Sequence, residues 1–212
     1  MPSRAAVPGE AAAIARTVTL AFAADPIWSV ALRRSDGTAP DLEPYWRLFV
    51  DGAMAHRTIR IVDAGAAVAI WLPPGTDELD AGGLLDLERW IERELDEPAR
   101  AQLHELYERF EASRAGRADH YYLSLLATHP EHRGRGVGQA LLAADLATWD
   151  EIGVPAYLES TNPGNDHRYV RAGFGYAGGF PAVHDSAWVS AMWRPVGGHN
   201  GAATSPMPSS GR

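Results

Sequence analysis

One stretch of the chain, from Tyr121 to Ala144, constrains the fold more than any other. An apolar run passes through a proline into a glycine-rich loop, and a segment of helix-forming composition follows at once. The loop glycines are Gly134, Gly136 and Gly138. A strand, a glycine-rich turn and a helix N-terminus in this order direct backbone N–H groups and the positive end of the helix dipole at one point. We therefore predict an anion site there, with Arg133 and Arg135 adding charge and a phosphorylated cofactor as ligand.

The spacing of the glycines rules out two common nucleotide motifs. A dinucleotide fold requires G-x-G-x-x-G, but Gln139 stands where the third glycine belongs, and the chain contains no G-x-x-x-x-G-K-[ST] run. What remains is Arg-x-x-Gly-x-Gly from Arg133 to Gly138, preceded by L-x-x-L-A-x-x-P from Leu123 to Pro130. The alternative is a glycine-rich connection with solvated arginines.

This combined pattern resembles the coenzyme A pyrophosphate loop of the GNAT acyltransferase superfamily. The segment from Asn165 to Phe174 resembles the N-x-x-x-Y-x-x-x-G-F signature that follows the fifth strand in that superfamily. Within it, Gly153 to Ser160 and Trp71 to Gly75 are similar to segments of puromycin N-acetyltransferase and related antibiotic-modifying enzymes. Strong resemblance covers about residues 120–195. The chain departs from the usual pattern at two positions, where Val170 replaces an acidic residue and Thr128 replaces a valine. These departures weaken only the assignment to the subfamily.

The order of the predicted elements indicates an α/β fold, a mixed and mostly antiparallel sheet flanked by helices, as the resemblance implies. Helices are predicted at 10–24, 42–56, 84–95, 103–110, 136–152 and 165–171. Strands are predicted at 58–62, 66–72, 155–160, 174–180 and 187–193 and in the run before the loop, with a further edge strand possible at 4–7. We predict one domain over 1–196 with a helical insertion at about 79–116, and a disordered tail over 197–212.

Composition excludes several classes of function. The chain has 212 residues and no cysteine, so disulfides, thiol nucleophiles and thiolate metal sites are ruled out. A net charge of -8 argues against nucleic-acid and anionic-membrane partners. No histidine pair has metal-ligand spacing, so no metal is expected. Without a signal sequence or a long apolar run, we expect a cytoplasmic protein. The oligomeric state stays open.

The resemblance implies transfer of an acetyl group from acetyl-CoA to a primary amine by direct attack in a ternary complex. The N–H groups of Gly134, Arg135, Gly136, Val137 and Gly138 would then hold the pyrophosphate. The pantetheine arm would pair with the strand edge formed by Leu126, Ala127 and Thr128. The N–H of Leu126 or Ala127 would stabilise the developing oxyanion.

Two side chains are candidates for proton transfer. By the resemblance, Tyr169 faces the sulfur and acts as general acid, because a phenol with a pKa near 10 stays protonated at neutral pH. Its alternative role is packing against the sheet. Glu159, at the end of the fifth predicted strand, is the candidate base, and its alternatives are capping at Asn162 or pairing with an arginine. Asn165 is predicted either to contact the pantetheine or to cap the short helix.

The acceptor site is less constrained. Aromatic residues of the first half could form a cleft roofed by the helical insertion, and Trp28 and Trp71 are the best candidates because each adjoins a proline-marked loop. An acidic chain with an aromatic-rich first half favours a small-molecule amine such as an antibiotic or related metabolite. The alternatives are acetylation of a protein N-terminus or lysine, and a non-catalytic acyl-CoA-binding module.

Overall fold

A computed structural model describes residues 3–182 and 187–198. The tail predicted to be disordered covers 197–212, and from residue 199 onward it lies outside the described residues. The first two residues of this predicted tail, Gly197 and Gly198, belong to a 3-10 turn, Val196–Gly198. The Gly197 N–H donates a 2.7 Å hydrogen bond to Asp150 Oδ1. The described chain therefore continues two residues into the region predicted to be disordered.

Seven strands form one sheet in the order β1-β2-β3-β4-β5-β7-β6. The strands are Arg4–Ala5 (β1), Ile59–Val62 (β2), Ala67–Leu72 (β3), Tyr121–Thr128 (β4), Ala156–Ser160 (β5), Gly175–Pro181 (β6) and Trp188–Arg194 (β7). The helices are Ala11–Phe22 (α1), Trp28–Ala31 (α2), Glu43–Met54 (α3), Ala81–Glu94 (α4), Glu97–Arg114 (α5), Val137–Ile152 (α6) and Pro163–Arg171 (α7). Every neighbouring pair is antiparallel except β4 and β5, which are parallel and joined through α6. The predicted mixed, mostly antiparallel α/β fold is confirmed.

Helices cover both faces of the sheet, which explains why β3 is apolar at every position. All six of its residues are buried. Val68, Ile70 and Leu72 join a core with α1, α3, α4 and α5, whereas alternate residues face a second core built around α6. A strand buried on both faces reads as a continuous hydrophobic run. No helix in the described ranges is long and apolar enough to cross a membrane.

The start of α5 differs from the sequence prediction, which places this helix at 103–110, beyond Pro98. In the structure α5 begins at Glu97, because the Asp96 side chain caps it by accepting a 3.2 Å hydrogen bond from the Ala99 N–H. Proline is well tolerated in a first turn, where its missing N–H has no helical partner. The four-residue helix α2 was not predicted, since so short an element leaves no periodic pattern.

A bulge in β4 changes which face its side chains occupy. Trp71 pairs with Leu123 and Ile70 with Leu125, so Ser124 is the extra residue. Leu123 consequently packs in the α6 core, whereas Leu125 packs in the opposite core. Bulges re-aim side chains in this way and are frequent beside functional sites.

Candidate active site

The sheet opens between its two parallel strands. Strands β4 and β5 are paired at Tyr121↔Ala156 and Tyr122↔Tyr157 and at no other position in the described chain. From Leu123 to Thr128, β4 remains paired with β3 on one edge, while its other edge carries no strand. Unpaired backbone groups on such an edge are ready to bind an extended ligand.

Alternation along β4 identifies the N–H groups at this open edge. The His129 N–H donates to Ala66 O at 3.0 Å, toward β3. The register is regular from there back to Leu126, so the N–H groups of Leu126 and Thr128 point to the open edge and that of Ala127 points to β3. The prediction that Ala127 could supply the oxyanion N–H is therefore wrong, and Leu126 and Thr128 are left to serve the edge.

The loop after β4 leaves a row of donors free. Gly134 and Gly136 adopt left-handed backbone conformations with φ of 77° and 73°, which glycine adopts without steric cost. Within α6 the Ala140 N–H is the first to reach a helical acceptor, Gly136 O, at 2.9 Å. The N–H groups of residues 134–139 have no hydrogen-bond acceptor among the described residues. Together with the helix dipole, they form an anion site.

Gly138 allows α6 to start against the end of β4. A Cβ atom at this position would lie 2.5 Å from Thr128 Oγ1. Any larger residue must therefore displace the Thr128 side chain or the helix N-terminus. A glycine in this loop also lets the backbone approach a phosphate closely, but the contact between Gly138 and Thr128 already requires a glycine at this position.

The two arginines of the loop, Arg133 and Arg135, lie in different places relative to the open strand edge. Arg133 Nη2 donates a 2.8 Å hydrogen bond to Ala21 O, which ties the loop to the end of α1, and Arg133 also lines the cleft beside the open edge. Arg135 is exposed and its side chain does not line this cleft, so its charge is not part of the cleft wall, although its backbone N–H is one of the free donors of the loop. Arg168 of α7 lines the cleft and was missed, because its position one residue before Tyr169 is no motif by itself.

This cleft has a volume of about 500 Å³ and lies between the loop, the open edge and α7. Its wall contains the predicted residues Leu126, Thr128, Arg133, Gly134, Gly136, Val137, Gly138 and Asn165. Free amides at one end and an unpaired strand edge along the side match the needs of a diphosphate joined to an extended, amide-containing arm. A coenzyme A molecule fits this chemistry.

A larger cavity of about 1070 Å³ lies on the other side of the opening, beneath α4 and α5. The two cavities share Phe22, Asp25, Leu126, Asn162, Asn165 and Tyr169. Asp25 is buried at this junction, where its carboxylate accepts hydrogen bonds from the Trp28 N–H at 3.0 Å and the Thr161 hydroxyl at 2.8 Å. Burial raises the pKa of Asp25. Because the two cavities share these wall residues, a ligand in one cavity can reach a ligand in the other at this junction.

Glu159 lines the larger cavity near the end of β5. Its Oε1 accepts a 2.7 Å hydrogen bond from the Tyr157 hydroxyl, while Oε2 is buried and has no hydrogen bond of standard geometry to described residues. Burial raises the pKa of Glu159 to about 7, opposed by the nearby Arg114 guanidinium and by the tyrosine hydroxyls. A carboxylate with a pKa near working pH suits general-base catalysis. It forms no ion pair, so the predicted arginine pairing is not seen in the described chain.

Four residues around Glu159 were not identified from the sequence. Arg114 Nη1 donates to Glu78 Oε2 at 3.2 Å and its guanidinium lies 4.8 Å from the centre of the Tyr122 ring. The other oxygen of Glu78 accepts a 2.5 Å hydrogen bond from the Ser124 hydroxyl. This network joins α5 to β4 beside Glu159. Its members are far apart in sequence, so no local pattern could have indicated them.

Tyr169 lines both cavities. Its hydroxyl makes no hydrogen bond to the described part of the protein, and burial, with the nearby carboxylates Asp166 and Asp25, raises its pKa to about 12. The group therefore stays protonated throughout the neutral range. The ring also packs edge-on against Phe174 at 6.1 Å. The packing role and a proton-donating role are thus compatible.

The two predictions for Asn165 can be separated. Helix α7 is capped by Asn162, whose side chain accepts a 3.0 Å hydrogen bond from the Gly164 N–H. Asn165 is therefore not the cap, and it lies in the walls of both cavities.

The two predicted acceptor tryptophans have different positions. Trp28 lines the larger cavity and stacks on Phe110, with ring centres 5.6 Å apart and planes 7° apart. Trp71 is fully buried in the α6 core, and its indole N–H donates to Asp145 at 2.9 Å. The prediction that Trp71 contacts the acceptor is wrong, because the bulged strand pair turns it to the face away from the cavity.

One group in the loop could hold a metal ion, although none was expected from the sequence. The ligand atoms of His129, Glu131 and His132 lie within 4.8 Å of one another. His129 Nδ1 also accepts a 3.4 Å hydrogen bond from the Glu131 N–H, which closes the 3-10 turn. Local turn geometry is therefore enough to explain the cluster.

Comparison with known proteins agrees with this geometry. The family model of the acetyltransferase (GNAT) domain matches residues 105–175, about a third of the chain. The mycothiol acetyltransferase of Propionibacterium freudenreichii is 41% identical over 70 residues, which are 28% of this chain and 22% of that protein. This chain thus matches about a fifth of the length of that relative.

Solved structures resemble the fold over nearly its whole length. A Corynebacterium glutamicum protein, described as histone acetyltransferase HPA2 and related acetyltransferase, has a TM-score of 0.66 at 23% identity and covers 98% of this chain and 97% of its own. Arylalkylamine N-acetyltransferase 2 from Aedes aegypti has a TM-score of 0.61 at 14% identity and covers 92% of this chain and 98% of its own. The protein has the GNAT acetyltransferase fold, and its residues 105–175 carry the sequence pattern of that domain.

Proposed function

We propose that the protein is an N-acetyltransferase that moves an acetyl group from acetyl-CoA to a primary amine of a small molecule. One observation carries the proposal: the open edge of β4 and the free loop amides lie in one cleft, and this cleft meets a second cavity containing Glu159. Two cavities that join at Tyr169, with Glu159 in the wall of the larger one, meet the requirement of direct transfer in a ternary complex that both reactants are held side by side.

The chain's own groups would hold the donor in two places. Amides 134–139 and the N-terminal end of α6 would bind the diphosphate, and the N–H groups of Leu126 and Thr128 would position the pantetheine arm. Acetyl-CoA supplies an acetyl group activated as a thioester. The outward N–H of Leu126 is then suited to stabilise negative charge on the thioester oxygen, an interaction whose loss costs about 3–4 kcal/mol in other enzymes.

Proton transfer would be divided between two residues. Glu159 takes a proton from the ammonium form of the substrate, since an amine with a pKa near 10.4 is mostly protonated at pH 7, and the neutral amine then attacks. Tyr169 gives a proton to the departing thiolate, since its hydroxyl keeps its proton throughout the neutral range. The nitrogen forms a bond to the acyl carbon as the carbon–sulfur bond breaks, and it loses a second proton that restores the one given up by Tyr169, so the net reaction releases the one proton taken by Glu159.

The helices over the acceptor cavity support a small molecule over a protein substrate. Helices α4 and α5 cover it and contribute Leu84, Leu87, Tyr107 and Phe110 to its wall. The relatives with this fold include enzymes described as acting on histones and on arylalkylamines, so the fold does not select between these classes. An antibiotic or related metabolite fits the size of the cavity. A non-catalytic acyl-CoA-binding module would need neither Glu159 nor Tyr169.

A direct test records free thiol release from acetyl-CoA with aminonucleosides, aminoglycosides, polyamines and peptides as separate acceptors. We expect release with at least one small-molecule amine. Release with peptides alone would move the proposal to protein acetylation, and tight CoA binding without release from any acceptor would support the non-catalytic alternative.

Gly138→Ala should weaken CoA binding. The new Cβ must displace Thr128 Oγ1 or the start of α6, and overpacking of this kind costs about 1–3 kcal/mol, or roughly tenfold or more in Kd. Isothermal titration with CoA measures the change.

The second-site variant Thr128→Ala provides the control, because it removes the clashing oxygen and leaves the Thr128 backbone at the open edge. The double variant should bind nearly as well as the wild type. A Gly138→Ala protein with unchanged affinity, or a double variant that stays weak, would contradict the assigned packing.

A further inference from the structure

The acceptor cavity has a marked charge imbalance. Eight carboxylate side chains line it against two arginines. Some of the acidic charge is neutralised, since Glu78 forms an ion pair with Arg114 at 3.2 Å. Four exposed carboxylates, Asp77, Glu108, Glu111 and Asp119, line the cavity and have no ion-pair partner in the described ranges.

The interior of the same cavity is aromatic. Trp28 stacks on Phe110 with planes 7° apart, and the Tyr45 ring lies 6.4 Å from Trp28. A flat wall of this kind favours a flat ring, because offset stacking adds about 0.5–1.5 kcal/mol beyond simple burial. At the inner end, the buried and unpartnered Glu159 Oε2 provides an acceptor for an ammonium group.

We infer that the acceptor is a primary alkylamine with an aromatic ring, and that it carries a second positive group on the side of the ring away from the reacting nitrogen. This inference rests on the proposed function and specifies its substrate class. The reacting amine reaches Glu159, the ring lies along Trp28, and the second cation reaches the carboxylates of α5. Glu108 and Glu111 are one turn apart on α5 and both line the cavity, so they act on the same end of the ligand.

A matched series of benzylamines tests this class. The para substituent is aminomethyl in the cationic member, methyl in the neutral member and carboxylate in the anionic member. With the wild-type protein we expect kcat/KM to be about tenfold higher for the cationic than for the neutral amine at low ionic strength. The cationic member has two equivalent amines, which by themselves would raise its kcat/KM twofold, and the expected ratio exceeds this statistical factor. The anionic amine should be the poorest, and added salt should reduce the differences.

Two sets of variants assign the preference to the named groups. The double variant Glu108→Gln/Glu111→Gln should lose most of the preference for the cationic amine and keep its rate with the neutral one. The control, Glu92→Gln/Glu97→Gln, removes two exposed charges from α4 and α5 that do not line the cavity, and it should behave as the wild type. The wild-type protein should prefer 4-methylbenzylamine to cyclohexylmethylamine, because the flat ring can stack on Trp28. Trp28→Leu should abolish this preference, and should the variant not fold, the wild-type comparison still tests the stacking.

The outcomes separate this inference from the proposed function. Equal rates for the three benzylamines, a preference for the anionic one, or CoA binding without turnover of any of them would overturn the inference and leave the donor site standing. A protein that does not bind CoA would overturn the proposed function itself.

Discussion

Glu159→Gln should lower kcat by about 100-fold or more, the typical contribution of a general base. It should also remove a step near pH 7 from the pH–rate profile. In the wild type the step rises with pH, because burial places the Glu159 pKa at about 7 and the deprotonated form alone accepts a proton. The limb due to ionisation of the amine substrate itself should remain in the variant. Steady-state rates from pH 5 to 9, compared between the two proteins, measure both effects.

This variant should fold, which makes the result interpretable. Burial disfavours the charged carboxylate, so a neutral amide of the same shape is no worse in the cavity, and its oxygen can still accept from the Tyr157 hydroxyl. The folded pKa lies above the unfolded value, so the carboxylate costs stability as pH rises through the range between them, and the variant should lose this cost. A variant that melts as the wild type does and keeps both its rate and the step near pH 7 would rule out Glu159 as the base.

Tyr169→Phe should lower kcat by about 100-fold and leave KM for acetyl-CoA nearly unchanged. Removal of the hydroxyl takes away a proton that is needed when the thiolate departs, but keeps the ring that packs on Phe174. An interaction made in the transition state alone affects kcat and kcat/KM equally. Steady-state kinetics with acetyl-CoA varied at saturating amine give both constants.

Tyr176→Phe is the matched control for this deletion. It also removes a phenol hydroxyl, one that donates to Asp166 at 3.3 Å and lies in neither cavity. The control should retain the wild-type kcat. An unchanged kcat in Tyr169→Phe, or equal losses in both variants, would leave Tyr169 with its packing role alone.

The parts of the fold that were predicted correctly depend on local patterns. The strand, loop and helix around Gly136 are contiguous, so their order is readable from one stretch of sequence. The buried strand β3 was likewise visible as an apolar run. The start of α5 was misplaced because Pro98 has opposite effects in a first turn and in a helix interior, and Asp96 decides between them.

The site was predictable in part for the same reason. Glu159 and Tyr169 belong to short recognisable segments, but the environment that raises the Glu159 pKa depends on burial by distant parts of the chain. Arg114 comes from the helical insertion and Tyr122 from β4, and neither shows a functional pattern in sequence. Trp71 was wrongly assigned because a position beside a proline-marked loop does not show which face of a bulged strand the side chain occupies.

The most direct test of the donor site follows backbone amide signals of the ¹⁵N-labelled protein during titration with CoA. The account predicts saturable, one-to-one shifts centred on amides 134–139 and on Leu126 and Thr128, with Ala127 less affected because its N–H faces β3. Binding that perturbs amides elsewhere and leaves these unchanged, or no binding at all, would contradict it.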